Sequence, residues 1–364
     1  MNKRQPWQRE KLDQIFQSTI RSKKIQSASL RIESGDGSFV WTGVTPEVGE
    51  PGMKADSPYF TASATKTFTA AAIFILHEQG KLGIEKPMAE YLPELDLAGL
   101  HTFRGRDYTS DICIYHLLGH TSGIPDYFEQ GGTGTGSLLR SLLERDQAWD
   151  LNFALDRARK MKPPFPPAAA EGNDYRAHYS DTNYQLLGAI LESVTGKPME
   201  QALNELIFKP LDLNHTYLFG RDHSQTTRKP PAPFLYKDRW LDIPLAMSSF
   251  RTDGSLVSNP EEQIRFLRSL IQERLLSERT VQRMQQWNPL FFPFQYGYGF
   301  MLYRLPRIFS PFKALPAYIG HSGASGAINY YCPDLDLYVA GTVNQLAYRS
   351  LAFQWMSRVA AAMS

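Results

Sequence analysis

The chain has 364 residues, of which 42% are hydrophobic and 12% aromatic, enough for one large domain or two ordinary ones around a sizeable core. Its 39 basic and 37 acidic side chains are dispersed and leave a net charge of +2, which argues against nucleic-acid and membrane-surface partners. The longest apolar run, Ala70 to Leu76, is far too short to span a bilayer. The opening stretch MNKRQPWQREKLDQIFQSTIRSKK has no apolar h-region and no cleavage site. Cys113 and Cys332 are few and far apart for a secreted protein, so both are expected as reduced thiols and the location as cytoplasmic. The glycosylation sequon Asn214-His215-Thr216 is then a chance match.

In chain order, Leu12, Ile15, Phe16 and Ile20 recur at helical spacing and predict a helix over 7–24. Strands are predicted at 27–34 and 38–44, with Gly35-Asp36-Gly37 as the hairpin between them. From Ser63 the segment ATKTFTAAAIFILHEQG is Ala-rich and free of proline, and it ends on Gly80, a C-terminal cap. A further helix is predicted at 111–119. The GGTGTG run at 131–136 lacks the Gly-Lys-Ser/Thr ending of a phosphate loop and reads as flexible linkage. KPPFPPAAAEGND at 162–174 reads as an extended connection. Helices follow at 181–195, 198–208, 260–273 and 277–287, strands at 296–303, 316–323, 327–333 and 335–344, and a terminal helix at 348–363. Strands at both ends with helices between predict an α+β fold: an antiparallel β-sheet flanked by N- and C-terminal helices, with a mainly helical region inserted. The expected division is a discontinuous sheet domain of residues 1–60 and 215–364, a helical domain of 61–214, and an active site between them.

Chemistry concentrates at three places. In Ser63-Ala64-Thr65-Lys66 the hydroxyl and the amine share one helix face. A serine needs a neighbour to take its proton, and lysine can do so only when neutral, so its pKa should be lowered by burial or nearby positive charge. A second copy of this spacing, Ser310 to Lys313, lies between Pro306 and Pro316 with no room for a helix. Tyr179-Ser180-Asp181 precedes a predicted helix, whose start Ser180 or Asp181 would cap. A tyrosine beside an ammonium can have its pKa lowered and act as a base. In Gly320-His321-Ser322-Gly323-Ala324-Ser325-Gly326 small residues let a substrate approach the backbone, and the N–H groups of Ala324 and Ser63 can form an oxyanion hole. The same run nearly matches the G-x-S-x-G elbow, but His321 is the last histidine, so no base lies downstream of Ser322. His116 and His120 have a metal-like i, i+4 spacing without a third ligand and read as structural; no metal or cofactor is expected.

Ser63-Ala64-Thr65-Lys66, Tyr179-Ser180-Asp181 and His321-Ser322-Gly323 occur in the order of S-x-x-K, Y-x-N and K/H-x-G. With YHLLGHTSGIPDY (115–127), YSDTNYQLLGAILESVTGKP (179–198), KPLDLNHTYL (209–218) and RTDGSLVSNPEEQIRFL (251–267), the chain resembles the serine β-lactamase and penicillin-binding-protein superfamily from about residue 26 to 345. It looks most like the class C-like branch of esterases and D-peptidases. The resemblance implies a β-lactamase/transpeptidase-like fold and an acyl-enzyme on Ser63. Lys66 and Tyr179 would share the general base and acid work, Ser63 and Ala324 would hold the oxyanion, and His321 would stand beside the substrate's leaving or carboxylate side. Asp181, Ser322, Gly323, Tyr127 and Phe128 would contact substrate, with Phe291 and Phe292 on a second loop. Two departures stand out: Asp181 replaces an Asn, and His321 replaces the Lys of true β-lactamases. Both make the site less attractive to anions. The expected activity is therefore hydrolysis of small uncharged esters. The alternatives are a D-amino-acid peptidase or amidase, a weak β-lactamase, and a non-catalytic ligand-binding member of the fold.

Overall fold

The structure is a computed structural model that describes residues 6–23, 25–45, 53–131, 136–169, 176–220, 229–309 and 315–363. Most of the Gly/Thr run at 131–136, the end of the proline-rich connection and the second Ser-x-x-Lys copy lie outside the described residues.

Eight strands form the main sheet: β1 (Ser29–Ser34), β2 (Val40–Val44), β3 (Asn288–Pro289), β4 (Phe294–Tyr296), β5 (Met301–Tyr303), β6 (Tyr318–Ser322), β7 (Ala327–Cys332) and β8 (Leu337–Thr342). The spatial order is β3-β4-β5-β6-β7-β8-β1-β2 and every neighbouring pair is antiparallel. The first strand thus pairs with the last, with Ile32 opposite Val339. The period-two pattern explains what covers each face. Leu30, Ile32, Leu337 and Val339 share a core with Leu12 and Phe16 of the helix Pro6–Ser22 and with Trp355 and Met356 of the helix Leu351–Met363. The alternate residues Tyr338 and Ala340 join a second core with Phe266 and Leu267 of the helix Pro260–Ile271.

That second core also contains the helix Thr65–Glu78, buried without a break from Thr65 to Leu76. Its sequence has no polar face, as suits a helix surrounded by protein. Gly80, at φ +71°, ends it in the left-handed conformation a side chain would disfavour. The helices Ile114–Leu118 and Asp181–Thr195 pack around it.

Several elements differ from expectation. The helix expected from Ser63 begins two residues later, at Thr65, behind a 3-10 turn at Ala62–Ala64. The segment 111–119 divides into a 3-10 turn, Thr109–Asp111, and the helix Ile114–Leu118. The strand expected at 296–303 is two strands, because the chain turns through Gly299 at φ +76° and through Gly297, where a Cβ would lie 2.2 Å from the Met284 carbonyl. A small sheet joins Tyr59–Phe60 to Leu256–Ser258 and Tyr217–Leu218. It was not anticipated, and it sets residues 61–66 against residues 251–255. Among the described residues no helix is long and apolar enough to cross a membrane.

Candidate active site

Ser63 sits in the 3-10 turn, on a chain held at fixed points. Thr61 donates its N–H to the Leu256 carbonyl at 2.8 Å, Thr65 Oγ1 donates to the Ala62 carbonyl at 2.7 Å, and Ser325 Oγ donates to the Phe60 carbonyl at 3.2 Å. Ala62 has φ +47°, a conformation costly for a residue with a Cβ and maintained only where the surroundings impose it.

One turn on, the Lys66 side chain is fully buried. Its Nζ lies 3.4 Å from Ser63 Oγ, 2.7 Å from the Asp253 carbonyl oxygen and 2.6 Å from Asp181 Oδ1. The rings of Tyr179 and Tyr184 flank it at 5.1 and 5.5 Å. The Tyr179 phenol faces the same space as Ser63 and feels the Lys66 charge. Asp181 is the first residue of its helix; its N–H donates to Asp126 Oδ1 at 2.9 Å, and Asp126 Oδ2 also accepts from the Glu129 N–H at 2.6 Å. The Asp126 carboxylate therefore caps this helix, where neither Ser180 nor Asp181 offers a side-chain cap.

The electrostatics correct two expectations. Burial opposes charge on Lys66, but the attraction of Asp181, then of Tyr179 and Asp253, outweighs it, so the ammonium is held above the usual lysine range rather than below. Burial likewise pushes the Tyr179 phenol up, and the nearby Lys66 charge only partly offsets it. Burial raises the Asp126, Asp181 and Asp253 carboxyls as well. At rest the site therefore holds a lysine cation, a carboxylate partner and a neutral phenol.

The third motif closes the site from the sheet. β6 ends at Ser322, and a Cβ on Gly323 would lie 2.3 Å from the Thr61 carbonyl, so glycine lets this strand end press on the turn that carries Ser63. Ser63, Tyr179 and Ala324 line two cavities that meet at the hydroxyl. One is walled by Phe128, Leu142, Phe234, Leu241, Met247 and Phe250, together with Asp181 and Asp253. The other, of about 1890 Å³, is walled by Phe291, Phe294, Arg176, Arg349, Asp126 and Ser322, with Gly323 beside them. Glu129 lines both and receives Arg349 Nη1 at 2.7 Å.

Three other candidates lie elsewhere. His321 is 1% exposed and lines neither cavity; it packs behind Tyr179, with Nε2 3.0 Å from the Tyr296 hydroxyl and Nδ1 2.8 Å from the Ser322 carbonyl. Burial, then the Lys66 charge, push its imidazole down to about 3, so it brings no cation to a substrate. Tyr127 is fully buried, donates to Asp253 Oδ2 at 2.9 Å and accepts from Trp149 Nε1 at 3.2 Å. It braces the wall rather than facing the cavity. Phe292 is 65% exposed, on the surface. His116 bonds the Cys113 N–H and the Ala168 carbonyl, and His120 Nδ1 receives the Ser180 N–H.

Sequence reasoning missed Asp253, whose carbonyl anchors Lys66, and Asp126, which anchors Asp181. Each falls inside a stretch already noted for its resemblance, RTDGSL and GIPDY, which is the only signal that points to them.

The beta-lactamase family profile matches residues 12–363. The chain belongs to the beta-lactamase family. Among its relatives are Esterase EstB of Burkholderia gladioli, 28% identical over 56% of this chain and 50% of EstB, and Penicillin-binding protein 4* of Bacillus subtilis, 25% identical over 85% and 67%. This family member thus spans about half the length of EstB. Among solved structures, a D-stereospecific amidohydrolase from Streptomyces sp. superposes with a TM-score of 0.71 at 25% identity, over 93% of this chain and 95% of that one. The D-amino acid amidase of Ochrobactrum anthropi SV3 reaches 0.77 at 20% identity over 98% of both chains, a likeness of fold.

Proposed function

We propose that this beta-lactamase family member is a serine hydrolase that works through an acyl-enzyme on Ser63, with carboxylic esters of small uncharged acyl groups as preferred substrates. The observation that carries the reading is the convergence of Ser63, bonded to Lys66, with the Tyr179 ring, 5.1 Å from Lys66 Nζ, where an apolar and a wider cavity meet. The first N–H groups of a helix have no intrahelical partner, so the Ser63 amide is available to an oxyanion, with the Ala324 amide opposite. The buried, neutral His321 supports uncharged substrates, since the position offers no cation to a carboxylate. EstB, an esterase by name, supports the same class. That Cys113 and Cys332 are thiols rather than a disulfide is consistent with action in the reducing cytoplasm.

A second reading, a D-amino-acid amidase, draws support from Asp126, Glu129 and Asp181 on the cavity walls, which could hold the ammonium of an amino-acid amide. The solved amidohydrolase and amidase point the same way. Purified protein offered a fluorophosphonate, p-nitrophenyl esters, D-amino-acid amides and a β-lactam separates these. Labelling at Ser63 with esters turned over fastest is the expected outcome. Faster amide turnover favours the second reading, and neither labelling nor turnover leaves a non-catalytic binding protein.

A further inference from the structure

The Lys66 ammonium donates to Ser63 Oγ and the Asp253 carbonyl and has Asp181 Oδ1 as its ion-pair partner at 2.6 Å. So placed, its nitrogen has no lone pair for the Ser63 proton. One proton must leave first. A hydroxyl and a backbone carbonyl do not take up a proton near neutrality, whereas a carboxylate does. The Tyr179 phenol already carries its own. Resting on the reading of Ser63 as nucleophile, we propose that Asp181 accepts a proton from Lys66 and so turns it into the base. The Asn expected at this position offers only an amide oxygen and cannot do this.

The steps balance. The Nζ–H bond of Lys66 breaks as an Oδ1–H bond forms on Asp181, and the two charges cancel. A substrate that expels water favours this, because a neutral pair loses less by desolvation than an ion pair. Ser63 then passes its proton to Lys66 while Oγ bonds to the substrate carbonyl carbon, whose π pair moves onto the oxygen. When the C–O bond to the leaving group breaks, that oxygen takes the proton back from Lys66 through the Tyr179 hydroxyl. The acyl-enzyme is left with a neutral Lys66 and a protonated Asp181, ready to take a proton from water. After hydrolysis Ser63 is reprotonated by Lys66, and Asp181 returns its proton to the amine.

The charged and titratable groups around Asp181 come from every packed element: Lys66, Asp253 beyond it, Tyr179 on the preceding residues, Asp126 and Glu129 on the facing loop, and Arg349, which binds Glu129. Burial raises the Asp181 carboxyl, which makes it a readier proton acceptor than an ordinary carboxylate. Asp181 Oδ1 has Lys66 as its ion-pair partner and lines the apolar cavity where the substrate enters.

The test measures fluorophosphonate labelling of Ser63 and p-nitrophenyl butyrate turnover in the full chain, between about pH 5 and 10. Asp181→Asn is expected to make both rates climb with pH as solvent takes the Lys66 proton, where wild type stays flat, with the loss greatest at the acid end because the substitution also removes the largest charge that holds that proton. Asp181→Glu, which keeps the acid, is expected to retain most of the rate. An Asn variant as fast as wild type, or slower with an unchanged pH profile, overturns the proposal. If the Asn variant does not fold, Asp181→Ala with and without added formate decides: formate restores labelling at least about tenfold, and no restoration overturns it. Wild type that is not labelled at Ser63 refutes the hydrolase reading itself. Labelled wild type with indifferent Asp181 variants refutes this step alone.

Discussion

A buried lysine with a carboxylate at 2.6 Å is a cation, and this governs what substitutions near it do. Lys66→Ala leaves the Asp181 carboxylate buried without a partner, which costs about 3–5 kcal/mol of stability as well as activity. Tyr179→Phe removes one hydroxyl from the wall of two cavities, so thermal melting should change little while kcat/KM falls about 100- to 10,000-fold. Ser63→Ala should fold normally and lose fluorophosphonate labelling altogether. The Lys66→Ala/Tyr179→Phe double variant should be far less impaired than the product of the two single losses, because groups acting on one proton fail together. Melting curves and ester kinetics on the four proteins check these outcomes. An unimpaired Tyr179→Phe or a stable Lys66→Ala contradicts the geometry. Residue types and their order made the trio legible in the sequence; their protonation was not. A lysine and a tyrosine near or far apart in sequence look alike on paper, and only the fold shows that Asp181 reaches Lys66. His321 misled for a related reason. Its motif lies at the end of β6, but the side chain is buried against Tyr179 and lines neither cavity, and a motif does not specify that.

Between elements, the decisive contact is the end of β6 against the turn at Ser63. Gly323→Ala places a methyl 2.3 Å from the Thr61 carbonyl, a backbone atom that cannot swing aside. Thr61 is itself bonded to Leu256 through both its N–H and its hydroxyl, so the strain must go into β6 and with it Ala324. Overpacking of this kind costs about 1–3 kcal/mol. The expected result is a modest drop in melting temperature and a larger loss of acylation, at least about tenfold, if the Ser63 and Ala324 amides form the proposed oxyanion hole. Equal activity in Gly323→Ala would show that the two are not held by this contact. At this scale the sequence was informative wherever periodicity ran long: Asp181–Thr195 falls on the predicted 181–195, and the hairpin at Gly35-Asp36-Gly37 joins β1 to β2 as expected. It was silent on the Tyr59–Phe60, Leu256–Ser258 and Tyr217–Leu218 sheet, whose strands are two or three residues long and owe their existence to pairing across the fold rather than to any local pattern.

For the molecule as a whole, the antiparallel sheet with terminal helices on one face was readable from strands at both ends of the chain, while the interior's unusual titration was not. Burial, the first cause, pushes the imidazole of His116 down to about 4 and that of His321 to about 3, from an ordinary 6.5. Both are lowered in the folded state, so the unfolded chain takes up protons first on acidification. The stability from keeping them neutral is therefore complete above about pH 6.5 and is lost as the pH falls toward 4 and 3. The raised carboxyls of Asp126, Asp181 and Asp253 act in the opposite sense: their contribution is present at low pH and is lost as the pH rises through their folded values. The two sets compete, so the wild-type curve alone does not isolate either. A single substitution does. His116 bonds the Cys113 N–H at 2.9 Å and the Ala168 carbonyl at 2.8 Å, a pattern that glutamine can reproduce with one oxygen and one amide nitrogen. Whatever His116→Gln costs near neutrality, it should gain about 3 kcal/mol relative to wild type by pH 4, because only wild type then has an imidazole waiting to be charged on unfolding. Urea denaturation of both proteins across that range measures the gap, and parallel curves would show that His116 already titrates in the folded protein as it does in water.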